Sequence, residues 1–559
     1  MEASAGVASC WAVLDSLGTR GRWVPCGSCS ERALVPCWPR RGAAKRWPPN
    51  VTQSDVAAGA ALSAFSAAAD PALQCFAHEL SKGSPLRIGV FGTSVSANNK
   101  RQWNGPSYPE VLQWLLRARL NSNVSVSTVA FPGMSADMRE ACLDTLLPVG
   151  SADMYFVEEA SGLGLTPHSR DAAIRAVEQL TDALRARSPT HASMPSVPVG
   201  LFSPLDQSCV RRIKRLAPFK PRGSWSSAAK RSAAEAAAED IAWAVSARDA
   251  CLHSVNTSMS EGMVRLASTR RLPVVSMMHT LSPLLASTPV GPTGSGLSEL
   301  LQRFTRDYVH FTFYGHLLAA LMLDGLLAEA ARLAAKHLAR GRDPCRRRPS
   351  AGTGGGEAGA SSPRSCAVGE ALKPLVVGAS GFAYTVEWSL QGNPKPGYVG
   401  GVPGAALHLC QPRPHSRGGR SVIDVGHLVS FDGMGRGEVA CWADCSCAPT
   451  RFDSHWKRQN SVGALKSVKV AWRDRGQPAQ AAAADGPPSA HCGGCGLTVT
   501  VLNETSSNGH KVKIISLVSG LSGHGGDGAV VWMHNPKTKH PYGYEEIASE
   551  VWPRKKGRR

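Results

Sequence analysis

No run of about 18 uninterrupted apolar residues occurs in this chain, so no membrane-crossing helix is expected. The first residues also lack a basic stretch followed by an apolar core and a small-residue cleavage site, the pattern of a secretory leader. The uncharged, Ala-rich segment Val56–Ala69 begins far from Met1 and has no basic run just before it. Aromatic residues make up only 6% of the 559 residues. Ala, Gly and Pro are used heavily instead, which implies weakly structured insertions around smaller folded units. Acidic residues are outnumbered, 42 Asp and Glu against 62 Lys and Arg, for a net charge of +20. The excess falls in clusters such as Arg40–Arg41, Arg211–Arg212, Arg346–Arg348 and the terminal Arg-Lys-Lys-Gly-Arg-Arg, mostly outside periodic segments. A nucleic-acid reader would gather them on one folded face. Solvated linkers and tails are therefore the preferred reading, and no nucleic-acid partner is expected. A basic surface also suits anionic polysaccharide or membrane headgroups.

Two further absences narrow the chemistry. No Gly-Lys-Ser/Thr ending follows a glycine-rich turn, so there is no phosphate loop, and no cofactor is expected. The pairs Cys26-x-x-Cys29 and Cys492-x-x-Cys495 have no clean second pair at finger spacing, so no metal is expected either. Cysteine itself is plentiful, with 16 residues concentrated before residue 76 and after residue 340. Disulfides formed in an oxidising compartment are the simplest account. Four Asn-x-Ser/Thr sequons, at Asn50, Asn123, Asn256 and Asn503, permit glycosylation. The secretory pathway or the extracellular space is the expected location.

The texture along the chain divides it. Residues 1–84 show no sustained period and read as an irregular N-terminal segment. From Arg87 short apolar runs alternate with helical patterns about five times. The runs are Arg87–Gly92, Val124–Ala130, Asp153–Glu158, Val197–Phe202 and Leu272–Met277. The helical patterns are Tyr108–Leu120, Ser135–Leu147, Asp171–Arg187 and a closing Phe313–Ala335. That alternation predicts an α/β domain over 85–340, three layers with a parallel sheet between helices. A low-complexity insertion spans 205–260. Residues 341–373 are Gly-, Ser- and Arg-rich and read as a linker. Residues 374–521 carry β-formers between Gly and Pro turns, as in Leu497–Leu502 and Lys511–Val518. They predict an all-β, sandwich-like module. Residues 522–559 read as a disordered basic tail.

Two elements carry chemistry. Gly92-Thr93-Ser94-Val95-Ser96 follows the first strand, at the sheet rim where open α/β folds bind ligands. A serine there is a nucleophile if a base reaches it, although by itself such a motif is more often only a turn. The second element is Asp307-Tyr-Val-His310, placed just before the last helix. Asp three residues ahead of His can orient the imidazole and stabilise its protonated form. His310 would then take the Ser94 proton and return it to a leaving group. Alone, this element reads as readily as a capping Asp and a structural His. Glu158 and Glu159 are discounted as a glycosidase pair, because adjacent strand residues point to opposite faces.

In order and spacing the two elements together resemble the SGNH (GDSL-type) hydrolases, whose serine lies in a Gly-Asp-Ser-like turn. Their Asp-x-x-His is often followed by a Gly-His pair, here Gly315-His316. The resemblance covers about 250 residues of the chain and implies a flavodoxin-like fold. It also implies the triad Ser94, Asp307 and His310, with oxyanion donors from the amides of Ser94 and of Gly133 in Phe131-Pro-Gly-Met-Ser135. The chain departs from the pattern twice. Thr93 stands where many members have Asp, and Gly162 falls where an Asn is expected as third oxyanion donor. The stretch after Trp103 is similar to proteins of algae and other eukaryotic microbes that carry a Cys-bearing β module. In that module Trp388, Tyr398, Phe431 and Trp456 are candidates for a sugar-stacking face, against the commoner reading as core aromatics. The resemblance implies an esterase acting on an O-acyl group, with O-acetyl on a glycan or another acylated small molecule as the expected substrate. The alternatives are a catalytically degenerate glycan-binding or surface protein and an O-acyltransferase using the same residues.

Overall fold

The computed structural model describes residues 70–93, 95–96, 106–120, 123–130, 136–147, 149–159, 167–187, 191–205, 259–288, 300–305, 310–346, 365–388, 394–413, 420–455, 462–473 and 492–519, with 303 and 432 excepted and 189, 245 and 248–249 added. The chain divides into two compact units. The first comprises 1–98, 103–131 and 149–348; the second comprises 99–102, 132–148 and 349–559.

The first unit is built on five parallel strands. They are β1 (Arg87–Gly92), β2 (Ser125–Ala130), β3 (Met154–Glu158), β4 (Val199–Ser203) and β5 (Val274–Ser276), in the order β2-β1-β3-β4-β5. Its helices are α1 (Pro71–Ser81), α2 (Tyr108–Leu120), α3 (Pro167–Arg185), α4 (Met259–Arg270), α5 (Met277–Ser287) and α6 (Phe313–Ala339). Every residue of β3 and β4 is buried, as is all of β1 after Arg87. That is why these strands read as nearly unbroken apolar runs. β2, at the sheet edge, alternates Val with Ser and Thr and is only partly covered. Ile88, Val90, Met154 and Phe156 pack on one face against Leu73 and Phe76 of α1, Leu112 and Leu116 of α2, and Leu318 and Leu326 of α6. α3 and α4 lie together against β4 on the other face.

Helix α1 corrects the reading of residues 1–84 as irregular. Asp70 caps it, its Oδ1 accepting from the Ala72 and Leu73 amides at 2.9 and 3.4 Å, and Pro71 occupies the first turn. Leu73, Phe76 and Leu80 enter the core at helical spacing. A disulfide joins Cys75 to Cys345, beyond the end of α6. The expected insertion at 205–260 falls almost wholly outside the described residues, and the expected tail at 522–559 falls entirely outside them.

The second unit is antiparallel. Its strands are β6 (Ser365–Val368), β7 (Val376–Ser380), β8 (Phe382–Trp388), β9 (Pro394–Gly400), β10 (Ala406–Pro412), β11 (Arg420–Val429), β12 (Arg436–Ala443), β13 (Cys445–Ser446), β14 (Thr450–Asp453), β15 (Val462–Trp472), β16 (Gly494–Val501) and β17 (Val512–Ser519). One sheet runs β14-β12-β16-β10-β7. The other runs β13-β15-β11-β17-β9-β8, with β6 also paired to β17. Leu407, Leu409, Val439 and Val499 from the first sheet meet Ile423, Val425, Val468 and Ile514 from the second in one core, which makes the module a sandwich. β10 buries every second residue, as a strand with one face inward must. Disulfides Cys410–Cys492, Cys441–Cys447 and Cys445–Cys495 close it, and Cys142–Cys366 ties in the short helices Ala136–Ala141 and Leu143–Leu146. Cys492 and Cys495 therefore each pair with a distant cysteine and do not form a two-cysteine metal half-site.

Candidate active site

Strand order locates the topological reversal. β2 lies to one side of β1 and β3 to the other, so the chain changes direction between β1 and β3. Ligands of such sheets bind outside the carboxyl ends of the strands at that reversal. The turn that begins at Thr93 leaves β1 there, and Glu158 ends β3 beside it.

Glu158 is fully buried. Its Oε2 accepts from the Thr93 amide at 2.9 Å, the Ser96 amide at 3.1 Å and the Ser96 hydroxyl at 2.6 Å. Its Oε1 accepts from the Thr93 hydroxyl at 2.6 Å. One carboxylate thus holds residues on both sides of position 94. A carboxylate offers about four acceptor sites, and the turn supplies four donors. The packing is close: a Cβ on Gly92 would lie 2.2 Å from Ser96 Oγ and 2.6 Å from Glu158 Oε2, so only glycine fits.

The network continues to the start of two helices. Ser96 Oγ lies 2.6 Å from the Tyr108 hydroxyl. The Ser96 proton points to Glu158, so Tyr108 is the donor to Ser96. The Tyr108 amide donates to His316 Nδ1 at 3.2 Å. Nδ1 is an acceptor here, which places the proton of neutral His316 on Nε2. His316 is buried and belongs to the first turn of α6. Its ring stacks on Tyr108 and meets Phe311 edge-on, with centroids at 6.2 and 5.3 Å.

His310 stands, half-buried, immediately before Phe311. A β-bridge joins Thr305 to Phe311, and the Thr312 amide donates to the Phe304 carbonyl at 2.9 Å. Thr312 caps α6 by accepting from the Gly315 amide. A Cβ on Gly315 would lie 2.1 Å from the Phe304 carbonyl oxygen, so this glycine lets the start of α6 approach Phe304. Ser94, Asp307, Gly133 and Gly162 lie outside the described residues.

Of the expected site, the structure brings together the residues that flank Ser94 and joins them to the helix that follows His310. Glu158, Tyr108 and His316 are the members that sequence reasoning missed as parts of one network. Glu158 carried a signal, a charged residue ending an otherwise apolar strand, but which strand lies beside β1 is a matter of topology. Of the four sugar-stacking candidates, Tyr398 follows the commoner reading as a core aromatic. Tyr398 is buried in the sandwich core and meets Tyr384 edge-on at 5.2 Å. Phe431 is exposed, while the Trp388 side chain and Trp456 lie outside the described residues.

A second hydroxyl–imidazole chain lies at the ends of β4 and β5. Ser203, Ser260 and Ser276 are linked at 3.1 and 2.7 Å, Ser276 Oγ is 2.8 Å from His279 Nδ1, and His279 Nε2 is 3.7 Å from Glu261. All three serines are buried, and Ser276 caps α5 by accepting from the His279 amide. Burial holds the His279 imidazole below its usual pKa, against the charge of Glu261. These bonds tie β4, β5, α4 and α5 together.

No family model matches the chain, and no curated protein matches it. Among solved structures it is similar to a two-domain esterase active on acetylated mannans, at 13% identity and a TM-score of 0.47 over 80% of this chain and 94% of that one. It is also similar to a lipase/acylhydrolase from Enterococcus faecalis, at 15% identity and a TM-score of 0.26 over 44% and 96% of the two chains. A third likeness is to the CBM36-1 domain of a multidomain xylanase from the hindgut metagenome of Trinervitermes trinervoides, at 11% and 0.18 over 29% and 99%. At these identities and scores the likenesses assign no residue and no substrate to this chain.

Proposed function

We propose that the protein is a serine esterase that cleaves an O-acyl group through an acyl-enzyme on Ser94. One observation carries the reading: at the β1/β3 reversal the turn flanking Ser94 and the helix following Asp307-x-x-His310 are fastened to the same residue, Tyr108, through its hydroxyl and its amide. In this reading Ser94 Oγ attacks the acyl carbon while His310 takes its proton. The oxyanion is received by the amides of Ser94 and Gly133, with the Gly162 amide in the place of a side-chain donor. Collapse expels the alcohol, protonated by His310, and leaves the acyl group on Ser94. Water deprotonated by His310 then attacks the ester, and collapse returns the proton to Ser94. Asp307 orients the imidazole and stabilises its cation. The substrate class we propose is an O-acetyl ester on a glycan, a reading supported by the presence of a sandwich module in the same chain.

Gly162 favours a second reading, a non-catalytic glycan-binding protein. Loss of one oxyanion donor costs about 10²–10³ in rate. An O-acyltransferase would use the same residues with a sugar hydroxyl in place of water. Turnover of p-nitrophenyl acetate separates the first two: the wild type releases p-nitrophenol and Ser94→Ala does not. A folded wild type with no turnover above buffer would support the non-catalytic reading.

A further inference from the structure

We propose that Glu158 is a positioning residue whose carboxylate fixes the turn that presents the reactive serine. This rests on the serine-esterase reading above. Four donors from Thr93 and Ser96 converge on Glu158 within 3.1 Å, and they flank position 94 on both sides. The carboxylate is 0% exposed. It acts through the turn. Both Thr93 contacts involve groups one residue before the nucleophile. Both Ser96 contacts involve groups two residues after it, and Tyr108 keeps the Ser96 hydroxyl aimed at the carboxylate. The negative charge matters because it accepts every donor at once. A Gln amide at the same place offers one oxygen, and its NH2 group must face a hydroxyl that turns round to accept. Thr93 is therefore one partner through which this strand-end acid grips the turn.

The role predicts a loss of chemical rate without a loss of binding. Thr93→Val removes one donor and keeps the shape; Thr93→Ser restores the hydroxyl. Glu158→Gln keeps the volume and removes the charge. Misplacing a nucleophile by about 1 Å costs on the order of a hundredfold. For folded Thr93→Val and Glu158→Gln, checked by circular dichroism and thermal melting, kcat on p-nitrophenyl acetate and the rate of reaction with a fluorophosphonate probe should fall together by about that factor. KM should hold, and Thr93→Ser should recover most of the rate. Folded variants that react with the probe at the wild-type rate would overturn the role, as would a loss that merely follows the folded fraction or that Thr93→Ser fails to restore. A folded wild type that does not react with the probe removes the esterase reading and this role with it. A reactive wild type with equally reactive variants removes the role of Glu158 alone.

Discussion

Burial decides the protonation of individual side chains most clearly at His427, inside the sandwich. Its ring packs on Phe452 with centroids 4.4 Å apart, and Nδ1 is 3.1 Å from Ser454 Oγ. Burial, and secondarily the charge of Lys466, pushes its pKa from 6.5 down to about 3. Between those values the unfolded chain binds a proton at this site and the folded chain does not. Stability is therefore lost as the pH falls from 6.5 towards 3. From pH 7 to pH 4.5 the loss from this one group is about 2–3 kcal/mol. Chemical denaturation at both pH values should show that loss in the wild type and a smaller one in His427→Gln, which does not titrate. Equal slopes in the two proteins would show that His427 does not set the acid limit. The residue scale is also where the sequence was least legible. Strand alternation gives no hint that Glu158 faces the turn after β1. Tyr398 has the composition of a sugar platform and the burial of a core residue.

Elements were more legible than contacts. β1 and α2 occur at the bounds their patterns predict, because an unbroken apolar run and a 3.6-residue period have few other solutions. β4 and β5 begin two residues later than the apolar runs suggested, where pairing to their neighbours starts. α1 was hidden by its setting among Cys, Trp and Pro residues, although Asp70-Pro71 ahead of Leu73, Phe76 and Leu80 is a readable helix start. Its attachment is covalent as well as apolar. Cys75 and Cys345 are 270 residues apart in sequence, so their bond restricts nearly the whole first unit in the unfolded state. Replacing both with Ala should lower stability by about 2–4 kcal/mol. The denaturation midpoint of the first unit would report it, and an unchanged midpoint would mean that α1 is held by packing alone.

At the scale of the whole molecule, the chain comprises an α/β unit whose strand order reverses between β1 and β3 and a disulfide-closed β sandwich. Five disulfides among the described residues fit an oxidising compartment. No helix among those residues is long and apolar enough to cross a membrane. The exposed sequons Asn123 and Asn503 are accessible to glycosylation. Period and composition made the two kinds of architecture readable, but strand order, which locates the reversal between β1 and β3, follows only from tertiary packing. The central claim is that Ser94 is an activated nucleophile. Its most direct test is to treat the full-length protein with a fluorophosphonate and map the adduct by peptide mass spectrometry. The account predicts a single covalent adduct on the peptide bearing Ser94, absent in Ser94→Ala and strongly slowed in His310→Asn. A folded wild type without an adduct, or one labelled at another serine such as Ser276, would contradict it.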